Sequence, residues 1–470
     1  MALGLIIARR AIFSESQVAR DRIEILDFFK KRRIDVVALA ENETQCGALS
    51  NHNEARKCAE LFRRNRDRIE GVIVALPNFG DERSVADALK MAALDVPVLV
   101  QAYPDELDKM DEKNRRDSFC GKISVCNNLR QYGIKYSLGR RHTVSPHSAE
   151  FDDDVKWFAG VCRVVNGLRK ARIGVVGTRP GDFKTVRSSE TLLEKSGVSV
   201  ETIGLLGLVK QIEKLADSDP DVIRQFQAMQ NYCAMPGIPE STVIKMAKLN
   251  LALTRWIGEN DLDAFALQCW PDIQEALQIF PCAAMSMLND RLVPSGCEAD
   301  IAGTVAMLAL QLASGTASAL MDWNNNYGDD PDKAVLFHCS NAPRRMFKPG
   351  LTMRYNVGAT SQNDVSNCYG SCWGKLREGA FTYCGIKADG SDAVISAYAG
   401  SGLFTADALE TYGGTAVAEI KGLQKLVRYI CENGFDHHVA INHSAVADIL
   451  AESFKKYMGW NVYGHTDGMV

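Results

Sequence analysis

Residues 1–150 alternate short apolar runs with longer amphipathic stretches, and this pattern constrains the fold more than any other feature of the chain. The apolar runs lie at 3–8, 35–39, 71–76 and 96–101. The stretches between them that have helical spacing of apolar residues lie at 16–32, 53–65 and 84–94. Such alternation is typical of parallel strands connected by helices. The sequence therefore predicts an α/β fold for this part of the chain.

A second α/β segment is predicted to begin near residue 170. Residues 172–182 form a predicted strand that runs into a glycine-containing turn, and 262–268 form another predicted strand. The turn lacks the G-x-G-x-x-G spacing of dinucleotide-binding loops. It therefore indicates a turn at the carboxyl edge of a sheet, which is where α/β proteins bind ligands.

The pattern changes again after about residue 330. Short predicted strands, separated by Gly, Asp and Ser, lie at 334–339, 381–386 and 393–398. They indicate a β-rich module, either a barrel or a sandwich. Two helices are predicted after it, at 416–433 and 444–458.

Composition excludes several classes of partner. The chain has 470 residues, of which 24% are charged, and its net charge of −4 gives no reason to expect nucleic acid. Apolar runs such as 305–310 are too short to cross a bilayer. The charges of Arg9 and Arg10 follow the first apolar run, which is the reverse of a signal peptide. Fourteen cysteines without a Cys-x-x-Cys pair indicate free thiols in the cytoplasm rather than a zinc or disulfide framework.

The first acidic motif is Ser295-Gly-Cys-Glu298-Ala-Asp300, which precedes an apolar helical stretch at 301–312. Ser295 and Glu298 match the spacing of a helix capping box. The start of a helix carries a partial positive charge, which favours an ionised carboxylate there. The ionised form is the state that a metal ligand needs. Glu298 is therefore either a cap or a metal ligand, and Asp300 is an alternative for the second role.

The second acidic motif ends Ser318-Ala-Leu-Met-Asp322 and is followed by Trp323 and three asparagines. Acids at strand ends are often turn residues. The functional alternative is that Asp322 projects from the end of a strand into a cleft.

Three of the chain's eight histidines fall in Asp436-His437-His438-Val-Ala-Ile-Asn-His443. Such a cluster beside a predicted loop indicates a metal ligand, with neighbouring residues orienting it. His438 with Glu298 and Asp322 would make a minimal ligand set of two carboxylates and one imidazole. These ligands suit a hard or borderline divalent cation such as Mn²⁺.

Four segments resemble the L-fucose/L-arabinose isomerase family, and most closely its fucose isomerase branch. The segments around Glu298, Asp322 and His438 are similar to those that supply the family's metal ligands. Gln268-Cys-Trp270-Pro-Asp272 is similar to a segment that lines the family's active site. All four occur in the family's order, within residues 260–470.

The resemblance implies two Rossmann-like domains followed by a β-barrel-containing domain. We place them at 1–165, 166–332 and 333–470. It also implies a hexamer in which a neighbouring N-terminal domain completes the active site, with Arg9 or Arg10 as the contributed residue.

The predicted activity is a Mn²⁺-dependent aldose–ketose isomerisation through a cis-enediol. In this hypothesis Glu298 and Asp322 move protons, Trp270 packs against the sugar, and Gln268 and Asn341 contact its hydroxyl groups. Arg344, Arg345 and Lys348 are either a solvated face or a site for an anionic group, such as the sulfonate of sulfoquinovose. Two alternatives remain: a metal-dependent lyase or epimerase, and a non-catalytic sugar-binding protein.

Overall fold

A computed structural model describes residues 2–355 and 368–465. Its contacts divide the chain into two compact units, Met1–Asn166 and Gly167–Val470. The division into three domains at 165 and 332 stays a prediction.

The first unit is built on a parallel sheet with the strand order β2-β1-β3-β4-β5. The strands are β1 (Ala2–Ile7), β2 (Asp35–Val37), β3 (Ile69–Leu76), β4 (Val98–Ala102) and β5 (Ser137–Leu138). The helices are α1 (Glu15–Lys31), α2 (His52–Arg64), α3 (Glu82–Ala92), α4 (Ser118–Gln131) and α5 (Ala149–Leu168). The predicted alternation of strands and helices is confirmed.

Helices cover both faces of this sheet because successive side chains of a strand point to opposite sides. Leu5 of β1 packs in a core with Phe28 of α1 and Phe158 of α5. Ile6, the next residue, packs in a second core with Phe62 of α2. All six residues of β1 are buried, as its apolar run predicted.

The second unit begins with another parallel sheet, with the order β7-β6-β8-β9. Its strands are β6 (Arg172–Val176), β7 (Ser199–Ile203), β8 (Ala264–Leu267) and β9 (Ser295–Gly296). The accompanying helices are α6 (Glu190–Lys195), α7 (Leu205–Glu213), α8 (Pro220–Tyr232), α9 (Glu240–Glu259), α10 (Asp272–Leu277), α11 (Cys282–Asp290) and α12 (Ile301–Ser314).

The remaining strands form a largely antiparallel, barrel-like sheet. They are β10 (Ala319–Asn326), β11 (Lys333–His338), β12 (Thr352–Tyr355), β13 (Tyr369–Lys375), β14 (Gly379–Lys387), β15 (Ser396–Phe404), β16 (Gly414–Glu419), β17 (His438–Asn442) and β18 (Asn461–His465). Helices α13 (Leu423–Glu432) and α14 (Ala447–Glu452) accompany them, and a π-helical turn, Ser453–Met458, follows α14.

Closure of the barrel comes from β15, which pairs with both β14 and β16. Among the described residues, the ring then runs β16-β11-β10-β17-β14-β15 and returns to β16. Phe381 and Phe404 stack in its core with their ring centroids 3.9 Å apart. The prediction of α/β domains followed by a β-barrel-like module is confirmed.

Three local predictions for this unit are wrong. The predicted helix at 416–433 is a strand, Gly414–Glu419, followed by a shorter helix, Leu423–Glu432. Gly422 separates them, with a φ of +70° that no helix interior adopts. Asp322 does not end its strand, because β10 continues through the predicted turn to Asn326. His438 is the first residue of a strand and not part of a loop.

No helix in the described ranges 2–355 and 368–465 has the length and apolar character needed to span a bilayer.

Candidate metal centre

Strand pairing brings the second carboxylate and the histidine together. In the antiparallel pair of β10 and β17, Asp322 lies directly opposite His438. On the other side of β10, Asp322 lies opposite Phe337 of β11, so His338 is at the same level of the barrel. His438 and His338 are almost fully buried, and the Asp322 side chain is 17% exposed.

Glu298 reaches the same place from the carboxyl edge of the parallel sheet. The chain leaves β9 and turns through Glu298 and Ala299, which have φ angles of +61° and +53°. These left-handed conformations are uncommon for residues other than glycine. The backbone N–H of Ala299 donates to the carbonyl of Leu267, which fixes the turn at the end of β8. The turn directs the Glu298 carboxylate into the protein, where it is 7% exposed.

The capping-box interpretation of Glu298 is wrong. Helix α12 begins at Ile301, and its cap is Asp300, whose Oδ1 accepts the N–H of Gly303 at 2.8 Å. Glu298 lies before the cap instead of in the first turn of the helix, and Glu298 and Ala299 are both left-handed.

The predicted ligand atoms converge on one ring nitrogen. His438 Nε2 lies 3.0 Å from Glu298 Oε2 and 3.6 Å from Asp322 Oδ1. Three groups of potential ligand atoms share His438, with the atoms of each group within 4.8 Å of one another; one of them contains Asp300 and Asp436, and Asp300 lies at Nδ1, the other ring nitrogen. The other two groups contain the predicted carboxylate ligands. One group contains Glu298 and His338, and the other contains Asp322 and His437.

These atoms fit a divalent cation. Glu298 Oε2, Asp322 Oδ1 and His438 Nε2 are buried, yet none has a hydrogen-bond partner among the described residues. A buried polar atom without a partner is costly, so three that converge indicate a missing common partner. Ligands at neighbouring positions of an octahedral shell, with bonds of about 2.1 Å, lie roughly 3 Å apart. The donor set of carboxylate oxygen and imidazole nitrogen suits a hard or borderline divalent cation.

The pKa values of these groups follow from burial and from the close charges. Burial raises the pKa of the Glu298 carboxyl, but the adjacent imidazoles of His438 and His338 outweigh it and lower that pKa to about 2. Burial also raises the pKa of Asp322. For His338, burial lowers the pKa, but the Asp322 carboxylate and the Cys339 thiol outweigh it and raise the pKa to about 10. The surrounding negative charge therefore favours positive charge in this cavity.

His338 was not among the predicted site residues. The signal that identifies it is its position at the end of β11, next to the strand that carries Asp322. That pairing joins segments that local sequence patterns do not connect.

Aromatic side chains pack beside the carboxylate of Glu298. Trp270 follows β8, and its Nε1–H donates to Glu298 Oε1 at 2.9 Å. Phe183 packs edge-on against Trp270, with centroids 5.1 Å apart, and against His437 at 5.5 Å. The sequence placed a ligand-binding edge at the turn of 172–182 but did not identify Phe183, the next residue.

The side chains of Gln268 and Asn341 both make hydrogen bonds within the protein. Gln268 Oε1 accepts the N–H of Thr178 at 3.0 Å, and its Nε2 donates to Asp272 at 2.8 Å. Asn341 is fully buried, and its amide bonds backbone groups of Ser295 and Leu320. These bonds give both residues a structural role. Their contact with substrate hydroxyls stays a prediction.

Arg10 lies in the first unit, just after β1. Its Nε donates to the carbonyl of Gly80 at 3.1 Å, and its guanidinium pairs with Glu82 and lies over Phe79. Its contribution to a neighbouring subunit's site stays a prediction.

The basic residues near 345 line a different cavity. A cavity of about 820 Å³ is lined in part by Arg344, Arg345 and Lys348. None of the residues described as lining it belongs to the candidate metal centre. Arg345 pairs with Asp290, and Lys348 pairs with Glu378. Their position gives no support to a role in binding a substrate at the metal centre.

Asp436 and His443 were predicted to orient His438, and the structure supports this only for Asp436. Asp436 accepts the backbone N–H of His438 at 3.0 Å, so it holds the backbone of that histidine. His443 instead bonds the carbonyl of Arg377 and packs against Phe404.

Two family models match this chain. The model described as "Fucose/sulfoquinovose isomerase, N-terminal domain" matches residues 4–169, and "L-fucose isomerase, C-terminal domain" matches residues 336–466. The chain belongs to the fucose isomerase family. The C-terminal match includes His338 and His438, whereas Glu298 and Asp322 lie between the two matched segments.

Curated relatives of this family member carry a more specific name. A sulfoquinovose isomerase from Priestia aryabhattai is 27% identical over 251 residues, which are 53% of this chain and 53% of that protein. The chain thus matches about half the length of that relative. A sulfoquinovose isomerase from Alkalicoccus urumqiensis is 23% identical over 370 residues, 76% of this chain and 78% of that protein. One from Clostridium sp. (strain MSTE9) is 25% identical and covers 41% of this chain and 43% of that protein.

Proposed function

We propose that this protein is a Mn²⁺-dependent aldose–ketose isomerase that acts on a monosaccharide through a cis-enediol. The observation that carries the proposal is the convergence of three buried, unpartnered ligand atoms, from Glu298, Asp322 and His438. Membership of the fucose isomerase family supports the reaction class.

Glu298, Asp322 and His438 would hold the cation, and His338 adds a fourth donor group within reach. When bound, the cation supplies positive charge that polarises the substrate oxygens and acidifies the C2 proton. One of the two carboxylates takes the proton from C2 and returns it to C1. The other moves a proton from O2 to O1. Trp270 keeps the Glu298 carboxylate in place through Nε1–H and offers its ring to the apolar face of the sugar.

Sulfoquinovose is the proposed substrate, because the relatives in three bacterial species carry the name sulfoquinovose isomerase. The test is turnover of an aldose panel by Mn²⁺-loaded protein, followed by NMR. The panel contains sulfoquinovose, D-glucose, L-fucose, D-arabinose and a hexose 6-phosphate. We expect a ketose of the same carbon count from sulfoquinovose and little from D-glucose, which lacks the sulfonate. Fragments or a C2 epimer as the product would instead establish the lyase or epimerase alternative.

We further propose that the protein is a cytoplasmic hexamer. All fourteen cysteines are free in the structure, which is consistent with a reducing compartment. Light scattering after gel filtration should give a mass six times the chain mass of 51.7 kDa. A monomeric mass would contradict the hexamer and leave Arg10 without a neighbouring site to enter.

Replacing Trp270 with phenylalanine should lower kcat/KM by about 10- to 100-fold. The change keeps an aromatic ring but removes the N–H that donates to Glu298, and a hydrogen bond to a charged group contributes about 1.5–3 kcal/mol. Trp460→Phe is the matched control, because Trp460 donates to Ser196 and has no contact with the metal centre. Equal losses in the two variants would show that the Trp270 bond has no special part in turnover.

A further inference from the structure

Asp300 connects the start of a buried helix to the metal histidine. Its side chain is fully buried, and each carboxylate oxygen has a hydrogen-bond partner among the described residues. Oδ1 accepts the N–H of Gly303 at the first turn of α12, at 2.8 Å. Oδ2 lies 2.9 Å from Nδ1 of His438, on the side of the ring opposite to Glu298 and Asp322.

The packing around Asp300 leaves its carboxylate little freedom. A Cβ atom at Gly303 would overlap Oδ2 of Asp300 and press on Leu320. The carbonyl of Asp300 accepts the hydroxyl of Thr304 at 2.7 Å. The absence of a side chain at position 303 therefore makes room for the carboxylate, and the helix backbone holds it.

An imidazole that binds a cation through Nε2 must carry its proton on Nδ1. A carboxylate next to Nδ1 accepts that proton's hydrogen bond and makes Nε2 a better ligand. In this protein Asp300 is the acceptor, and Asp436 holds the backbone N–H of the same histidine. Ring and backbone of His438 are thus fixed by two different carboxylates.

We propose that Asp300 is the positioning residue of His438, which holds the ring with its proton on Nδ1 and its Nε2 directed at Glu298 and Asp322. The functional value of this arrangement rests on the proposed metal site. Asp300 itself does not touch the substrate, because His438 lies between it and the other ligands.

The test compares variants that disturb the same helix start in different ways. Asp300→Ser keeps a side-chain oxygen that can cap α12 but cannot reach the ring. Asp300→Asn keeps one side-chain oxygen, which can accept from the N–H of Gly303 or from Nδ1 of His438 but not from both. This variant takes the place of Asp300→Ser if the serine variant does not fold. Thr304→Val is the matched control, since it removes the bond to the Asp300 carbonyl and leaves the carboxylate in place.

The first readout is Mn²⁺ binding by metal-stripped protein, measured from the EPR signal of free Mn²⁺. Loss of a residue that orients a metal ligand typically weakens metal affinity about 10- to 100-fold. We expect that increase in Kd for Asp300→Ser and an unchanged Kd for Thr304→Val. Wild-type affinity in a folded Asp300→Ser protein would overturn the inference.

The second readout needs no metal. Protein labelled with ¹⁵N-histidine should show a downfield Nδ1–H proton for His438, assigned from its loss in His438→Gln. We expect it to persist in Thr304→Val and to disappear in Asp300→Ser. If the wild type binds no Mn²⁺, the proposed metal site fails, but this spectrum still decides the positioning role. Its persistence in Asp300→Ser, or its absence in the wild type, would refute that role.

Discussion

We expect Glu298→Gln and Asp322→Asn each to lower kcat of the Mn²⁺-loaded protein by a factor of ~10²–10⁴ or more. General acid–base catalysis by one positioned group contributes a factor of that size. Each substitution preserves the shape of the side chain but removes its charge and its capacity to accept a proton. Each also weakens the cation site, since Oε2 of Glu298 and Oδ1 of Asp322 are buried and lack other partners among the described residues.

The loss must be separated from a loss of metal. Turnover should therefore be measured at Mn²⁺ concentrations that saturate each variant, with metal content determined in parallel. Glu378→Gln is the matched control, because that carboxylate is exposed and pairs with Lys348 beside a separate cavity. Near-normal kcat in either site variant would show that its carboxylate takes no part in proton transfer.

Removal of the metal is expected to abolish isomerisation, and added Mn²⁺ is expected to restore it. The cation should also stabilise the folded protein, because a ligand that binds only the native state adds RT ln(1 + [L]/Kd) to the free energy of unfolding. At a hundredfold excess over Kd this amounts to about 2.7 kcal/mol. Thermal unfolding of stripped protein with and without Mn²⁺ measures the effect.

His438→Gln provides the control for that stabilisation. His438 is the residue shared by all three potential ligand groups, so its loss should remove the Mn²⁺-dependent rise in unfolding temperature. A rise of wild-type size in this variant would place the cation elsewhere in the protein. Full turnover by stripped wild-type protein would contradict metal dependence altogether.

The sequence predicted the parallel sheets well because their signals are local. A strand buried on both faces appears as an unbroken apolar run, and β1 and β3 are such runs. The helices between them begin after short polar caps, such as Asn51 before α2. No long-range information was needed to predict this part of the fold.

The barrel was harder to predict because strand pairing decides its details. The sequence identified a β-rich module but interpreted 416–419 as the beginning of a helix. Those residues are a strand because β16 pairs along its whole length with β11, which lies far away in sequence. Likewise Asp322 is inside a strand, since β11 and β17 extend the pairing on both of its sides.

The sequence predicted that three distant motifs would converge, but it identified only some of the residues around them. Glu298, Asp322 and His438 do converge, as their order and chemistry suggested. His338 and Phe183 were missed because only tertiary structure brings them beside His438. The capping motif at Ser295 was misleading, since the backbone at Glu298 turns left-handed before the helix starts.

The most direct test of the proposed mechanism is the conversion of sulfoquinovose in D₂O, with and without Mn²⁺, followed by NMR of the product. Proton transfer through an enediol passes the C2 proton to a protein carboxylate, where it exchanges with solvent. We predict a Mn²⁺-dependent ketose that carries deuterium at C1. A ketose whose C1 stays free of deuterium even after many turnovers at equilibrium with the aldose would contradict proton transfer by Glu298 or Asp322. Formation of the ketose by metal-stripped protein would contradict the metal site.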